Sequence, residues 1–192
     1  MIQYLHMDCE MGGRELKYSL LTAYFLVTDS GFNKIGDLYL RVKPDDGVYI
    51  VSGQGMAING INLPEHDKIA IPYKQAKPIL FNFLKTQAAG HKLIPVGHAI
   101  QGDIDHVIDK LISQGSWEQF CTYHFIDTSV VLQFLRICGK MPLDTDGSVG
   151  ALANYFGIDI DGDLHDARVD TRITCEILKR FVGLVDRYWL KI

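Results

Sequence analysis

Residues 4–13 read YLHMDCEMGG and place two carboxylates two positions apart at the end of a predicted first β-strand. Because side chains alternate across a strand, Asp8 and Glu10 point to the same face, with Cα atoms about 6.5 to 7 Å apart. Two such carboxylates repel each other and, if buried, raise each other's pKa unless a cation lies between them. The pattern predicts either a divalent-metal site or an amphipathic strand that carries two solvated acids.

The composition is that of an ordinary globular protein. Of the 192 residues, 47% are hydrophobic and 22% are charged, as in ordinary globular proteins. The length predicts a single domain over residues 1–192. No apolar run is long enough to span a membrane, and the acid-bearing N-terminus is unlike a signal peptide, so we expect a cytoplasmic protein with no membrane partner. The four cysteines form no C-x-x-C pair, which argues against a zinc knuckle or a disulfide framework.

The net charge of −4 would ordinarily count against a nucleic-acid partner, because phosphate binding depends on Lys and Arg. A carboxylate site loaded with two divalent cations is about neutral, however, and the ions themselves then bind phosphate. Net charge therefore does not exclude a nucleic-acid substrate.

Hydrophobic patterning predicts an α/β fold in which helices pack on a mixed sheet. Residues 18–27 and 36–42 extend the first strand into a three-stranded meander. Short apolar runs at 93–97 and 123–126 are typical of buried strands. Helical spacing or capping residues predict helices at 55–61, from 71 to before 90, at 104–112, 130–137 and 149–156, and from 166 past 181.

Two later segments carry further acids and histidines. In GHAIQGD, residues 97–103, Asp103 follows a strand and begins a helix, so it is either a site residue or only a helix N-cap. Periodicity does not separate it from Asp105.

In HDARVD, residues 165–170, five residues of continuous helix would turn about 500° and keep His165 away from Asp170. The two meet only if His165 precedes the helix and Asp166 is its N-cap. A histidine beside acids is a candidate general base, since the imidazole pKa lies close to neutral. Taken alone, a loop histidine is more often a surface residue.

Together these segments resemble the DEDDh family of 3′-to-5′ exonucleases. Asp8-Cys9-Glu10 is similar to the first motif of that family, and Gly97-His98 with Asp103 is similar to the second. His165 and Asp170 match the H-x4-D spacing of the third. Supporting likenesses occur at residues 56–61, 126–128 and 148–158, so the resemblance covers nearly the whole chain.

The resemblance implies a ribonuclease H-like fold with a five-stranded mixed sheet flanked by helices, and a site for two Mg²⁺ or Mn²⁺ ions. Asp8, Glu10 and Asp170 would be direct metal ligands and Asp103 would act through bound water. His165 would deprotonate the attacking water. The implied activity is release of nucleoside 5′-monophosphates from single-stranded 3′ ends, with a polymerase or repair protein as a further partner; the sequence does not indicate an oligomeric state.

The chain departs from the family pattern near the substrate. Met11-Gly12 stands where many members carry Thr-Gly, and Ala99 and Gly102 stand where Asn and Phe are common. Met11, Gly12 and His98 are the expected substrate contacts, with the backbone amide at residue 11 or 12 holding the terminal 3′-hydroxyl.

Two alternatives stay open at this point. DNA is somewhat favoured over RNA, although residues 8–11 and 97–99 resemble the RNA exonucleases of the family and the stretch from Ser148 resembles its DNA proofreaders. The other functional hypothesis is a catalytically silent nucleic-acid- or polymerase-binding module on the same fold.

Overall fold

A computed structural model describes residues 2–189 of the chain, and the side chains of residues 2–185. It contains a six-stranded mixed sheet flanked by helices, so the predicted α/β class is confirmed. The strands are β1 (Gln3–Met11), β2 (Leu20–Asp29), β3 (Lys34–Lys43), β4 (Ile71–Pro72), β5 (Ile94–Gly97) and β6 (Ile126–Asp127). Their order across the sheet is β4-β3-β2-β1-β5-β6.

The helices occupy the connections between and after these strands. They are α1 (Gly53–Asn59), α2 (Leu63–Ile69), α3 (Tyr73–Ala88), α4 (Gln101–Lys110), α5 (Gln114–Phe120), α6 (Thr128–Ile137), α7 (Val149–Phe156) and α8 (Ala167–Trp189). The sequence pattern did not predict α2 or α5. Both have only seven residues, and α5 contains Gly115, which disfavours helix. Each begins at a side-chain cap, Asn62 or Ser113.

Strand direction brings several chain ends to one edge of the sheet. β1, β2 and β3 form the predicted antiparallel meander, and β5 lies parallel to β1 on its other side. β6 is parallel to β5. Because parallel strands end at the same edge, the segments that follow β1, β5 and β6 meet there, as ligand-binding segments of α/β sheets commonly do.

The predicted count of five strands is wrong by one. Ile71 and Pro72 pair with Val42 and Lys43 as the short parallel strand β4, where the pattern predicted the first residues of a helix. Proline disfavours the helical conformation in the residue before it, so Ile71 is extended and α3 begins only at Tyr73.

Helices cover both faces of β1. Leu5, Met7 and Cys9 are buried in a core with α3 and α4. On the opposite face α8 packs against β1 and β2, and His6 is fully buried beside Thr28, with 3.1 Å between Nε2 and Oγ1. Glu10 is only 8% exposed, so the interpretation of β1 as an amphipathic strand with solvated acids is wrong. None of the described helices is long and apolar enough to cross a membrane.

The backbone that follows the acids of β1 is attached to α1. The Ser52 amide and hydroxyl both donate to the Gly12 carbonyl oxygen, at 2.7 and 2.9 Å. At the other end of α1, Asn59 Nδ2 donates to the Met11 carbonyl oxygen at 3.0 Å. Between them the backbones approach so closely that a Cβ atom at Gly55 would lie 2.4 Å from the Gly12 oxygen.

We expect Gly55→Ala to lower the free energy of unfolding by about 1 to 3 kcal/mol, because the added methyl group overlaps a backbone atom that has no room to move. Gly53→Ala is the matched control, since a Cβ atom there meets nothing within 4 Å and alanine favours helix. Urea denaturation of both variants checks this, and equal stabilities would contradict the close contact.

Candidate active site

Three predicted acids converge at the sheet edge. Asp8 and Glu10 come from the end of β1, and Asp170 comes from the first turn of α8. One carboxylate oxygen of each lies within 4.8 Å of the other two. Glu10 and Asp170 are buried and Asp8 is partly buried. This spacing and the all-oxygen donor set suit a divalent cation such as Mg²⁺ or Mn²⁺.

Asp170 is oriented through only one of its two oxygens. Its Oδ2 accepts a hydrogen bond from the His165 backbone amide at 3.2 Å. Its Oδ1 is buried, and no hydrogen-bond partner lies near it among the described residues. A buried carboxylate oxygen without a donor is unfavourable unless a cation satisfies it, so this atom fits a metal ligand.

Asp103 lies in the first turn of α4 and is buried. Its Oδ1 accepts from the Cys9 backbone amide at 3.1 Å. The pairing between β1 and β5 ends at His6, so this carboxylate satisfies an amide that the neighbouring strand no longer reaches. Asp103 is therefore not the helix N-cap. Asp105 is bonded to the Gln101 side chain at 2.8 Å, and the structure thus separates the two aspartates that periodicity left equivalent.

Burial and mutual repulsion disfavour the ionised forms of these acids. Burial, together with the charges of Asp170 and Asp103, raises the pKa of Glu10 to about 8. Burial also raises the pKa of Asp103 to about 8, although the Cys9 amide opposes this change. The pKa of Asp8 lies well above its ordinary value because of burial and, to a lesser extent, the charges of four neighbouring carboxylates, Asp103, Glu10, Asp170 and Asp166. Burial likewise raises the pKa of Asp170. A bound divalent cation would relieve this repulsion.

His165 precedes α8, as its predicted contact with Asp170 requires. Its backbone has φ of 68°, a left-handed conformation that few non-glycine residues adopt. Asp166 is the predicted cap, with Oδ1 accepting from the amides of Arg168 at 2.9 Å and Val169 at 3.3 Å. The His165 side chain is exposed, and His165 lines the same cleft as the acids.

This acidic cleft has a volume of about 530 Å³. Its walls are formed by Asp8, Cys9, Glu10, Met11, Gly13, Arg14, Gly55, Ile58, Asn59, His98, Ala99, Gly102, Asp103, His165 and Asp170. All five predicted catalytic residues and two of the three predicted substrate contacts are therefore together. A side chain added at Gly102 would meet open space, which fits the missing aromatic residue noted in the sequence.

Of the three predicted substrate contacts, Met11 and His98 line the cleft and Gly12 does not. Met11 lines the cleft, next to an irregularity in strand pairing between Glu10 and Met11. His98 also lines it, and its Nδ1 lies 2.9 Å from Thr128 Oγ1. Gly12 does not line it, and its amide donates to the Ser19 carbonyl oxygen at 2.8 Å. Of the two amides predicted to hold a substrate hydroxyl, at residue 11 or 12, the Gly12 amide is therefore engaged within the protein.

Sequence reasoning did not assign Arg14, Ile58 and Asn59 to the site. The available signal was the segment at 56–61, in which Asn59-Gly60 ends α1 with Gly60 in the left-handed conformation. That signal predicts a helix end, but it does not show that the helix end abuts β1.

The fold is similar to those of solved exonuclease structures. Escherichia coli exonuclease I in complex with a dT13 oligonucleotide shares 17% identity at a TM-score of 0.79, covering 98% of this chain and 43% of that chain. Exonuclease I from Methylocaldum szegediense shares 18% at a TM-score of 0.74, covering 100% and 42%. Cell-death related nuclease 4 (CRN-4) shares 14% at a TM-score of 0.69, covering 95% and 64%.

At these identities the likeness establishes the fold. The chain spans less than half the length of the exonuclease I structures. No family model matches the sequence, and no curated protein matches it.

The raised pKa values predict how stability depends on pH without a cation. The folded chain binds more protons than the unfolded chain, whose carboxyl groups have pKa values of about 4, so the free energy of unfolding falls as pH rises from about 4 to 8. We expect urea denaturation in EDTA at pH 5, 6.5 and 8 to show this fall. Excess Mg²⁺ or Mn²⁺ should reverse it, because it binds the folded state.

Two variants localise this effect. Asp8→Asn removes one of the repelling charges and should make the fall with pH shallower. Asp105→Asn removes a charge outside the cleft and should leave the fall of the free energy of unfolding with pH unchanged. A stability that rises between pH 5 and 8 in EDTA would contradict the predicted repulsion.

Proposed function

We propose that residues 1–192 form a metal-dependent 3′-to-5′ exonuclease domain that acts on single-stranded nucleic acid and releases nucleoside 5′-monophosphates. The observation that carries this proposal is the carboxylate set of Asp8, Glu10 and Asp170, whose oxygens lie within 4.8 Å of one another in a cleft bordered by His165. The exonuclease and nuclease structures of similar fold support the same class of reaction.

The acids would hold two Mg²⁺ or Mn²⁺ ions. Asp8, Glu10 and Asp170 would be the direct ligands, and the Oδ1 of Asp170, which has no hydrogen-bond partner among the described residues, would be one donor atom. Asp103 lies outside this set, with its Oδ1 bound to the Cys9 amide, and would act through bound water, as the family resemblance implies. Bound divalent ions supply a water nucleophile of lowered pKa and stabilise the leaving 3′-oxygen.

His165 is the general base in this proposal. The backbone amide of His165, and not its imidazole, contacts Asp170. The imidazole is therefore free at the border of the cleft, where it accepts the proton of the attacking water. Met11 and His98 line the cleft and contact the terminal nucleotides.

Single-stranded DNA is the favoured substrate. Structures of exonuclease I contain dT13 and dA16 oligonucleotides, and the cleft has no aromatic residue at positions 99 or 102 that would separate a base pair. A single strand presents its terminal nucleotide without that separation.

Substitutions in the carboxylate set test the catalytic roles. We expect Asp8→Asn and Asp170→Asn to lower kcat/KM at least about 1000-fold, because several kcal/mol of transition-state stabilisation depend on the ions. We expect His165→Gln to lower kcat about 100- to 10,000-fold. Asp105→Asn and His124→Gln are matched controls outside the cleft, and activity lost equally in these controls would contradict the assignment.

The product distribution tests direction and reaction class. A 5′-labelled single-stranded oligonucleotide with Mg²⁺ or Mn²⁺ should shorten stepwise from its 3′ end, with nucleoside 5′-monophosphate released at each step. EDTA should abolish this shortening. Matched DNA and RNA oligonucleotides measure the preference for sugar. Binding without hydrolysis under all of these conditions would favour the silent binding module instead.

A further inference from the structure

A second cavity of about 330 Å³ adjoins the acidic cleft. It shares Glu10, Asn59 and His165 with that cleft and extends toward β3, where Arg41 lines it. Strand register fixes this direction: Glu10 pairs with Thr22, and Thr22 pairs with Arg41. Two strand spacings separate Glu10 from Arg41, or roughly 10 Å between Cα atoms, so the long arginine side chain lies within reach of a ligand at Glu10.

The Arg41 guanidinium is held by an aromatic ring. Its Cζ lies 4.3 Å from the Tyr39 ring centroid, and Arg168 Cζ lies 5.6 Å from the same centroid. The Tyr39 hydroxyl donates to Asp166 Oδ2 at 3.2 Å, which fixes the ring. Such cation–π contacts preorganise a guanidinium while leaving its N–H donors available.

Both arginines are exposed, and no ion pair among the described residues includes either one. The carboxylates that line the second cavity are Glu10, Glu65, Asp163 and Asp166. Asp166 is engaged by Tyr39 and by the amides of α8, and Glu65 forms an ion pair with Lys68 at 2.7 Å. Glu10 belongs to the proposed metal site. Asp163 is exposed to solvent. Among the described residues, Arg41 is the one Lys or Arg side chain that lines this cavity.

We propose that Arg41, which lines the second cavity with its guanidinium over Tyr39, forms an anion subsite for a nucleic-acid phosphate other than the one that is cleaved. The inference rests on the proposed function, because the second cavity opens from the site where a phosphodiester would be hydrolysed. A guanidinium is well suited to phosphate, since its planar donors match the phosphate oxygens.

Two phosphates have the required chemistry. One is a linkage upstream of the scissile bond, and the other is a terminal 3′-phosphate that projects past Glu10. Both bind through the same guanidinium, and substrate choice distinguishes them.

The test compares wild type, Arg41→Gln and Arg180→Gln. Arg180 is an exposed arginine of α8 that lines a different groove, so its substitution is a control for charge. The substrates are single-stranded DNA of two, three and six nucleotides with 3′-hydroxyl ends, and a dinucleotide with a 3′-phosphate. The measurement is kcat/KM for each substrate with each protein.

Two ratios of kcat/KM are compared: hexanucleotide to dinucleotide, and 3′-phosphorylated dinucleotide to 3′-hydroxyl dinucleotide. We expect Arg41→Gln to lower one of these ratios about tenfold relative to Arg180→Gln, as for loss of one charge-assisted contact. A lower ratio of hexanucleotide to dinucleotide identifies an upstream phosphate. A lower ratio of 3′-phosphorylated to 3′-hydroxyl dinucleotide identifies the terminal phosphate. Unchanged ratios in a protein that degrades these substrates would overturn the subsite and leave the proposed function intact.

A binding measurement covers the case in which wild type hydrolyses nothing, which would overturn the proposed function. Fluorescence anisotropy of labelled dT6 and of its 3′-phosphorylated form in EDTA gives Kd without catalysis. Arg41→Gln should weaken binding of at least one of them about tenfold, and the slope of log Kd against log salt should fall by about 0.7 for one lost phosphate contact. Equal Kd values and slopes for Arg41→Gln and Arg180→Gln would overturn the subsite. The Kd of Arg41→Lys should lie between those of wild type and Arg41→Gln, because lysine retains the charge without the planar stacking.

Discussion

Repulsion between buried carboxylates is the constraint on which the rest of this structure depends. Asp8 and Glu10 are fixed two residues apart on one strand, and Asp170 is brought within 4.8 Å of both from a helix far along the chain. Backbone amides hold two of the acids in place: the Cys9 amide donates to Asp103, and the His165 amide donates to Asp170. The packing of α8 against β1 and β2 supplies the apolar contacts that oppose the repulsion.

Hydrogen bonds fix the two sides of the cleft in different ways. On the acid side, backbone amides donate to one oxygen of Asp103 and one oxygen of Asp170 and so orient these two carboxylates. On the α1 side, carbonyl oxygens of residues 11 and 12 accept hydrogen bonds from both ends of the helix, and Gly55 permits the close approach between them. His165, in a left-handed conformation, lies where the acidic cleft and the second cavity meet.

Much of this arrangement was predictable from sequence. Alternation along β1 placed Asp8 and Glu10 on one face, and helix geometry required His165 to precede α8. The remainder depends on contacts between distant segments. Periodicity could not choose between Asp103 and Asp105, because the choice follows from where β5 stops pairing with β1. The position of Arg41 two strands away from Glu10 follows from strand register, and β4 forms where a proline disfavours the helical conformation in the residue before it.

The attachment of α1 has an evolutionary consequence. Its hydrogen bonds reach residues 11 and 12 only through carbonyl oxygens, which every amino acid possesses. The side chain at position 11 lines the cleft and packs against the hydrophobic core, but it takes no part in these hydrogen bonds, so one apolar residue can replace another there without loss of the attachment. Selection can thus alter the wall of the cleft by changing one residue, while the backbone geometry beside the neighbouring acids stays constant.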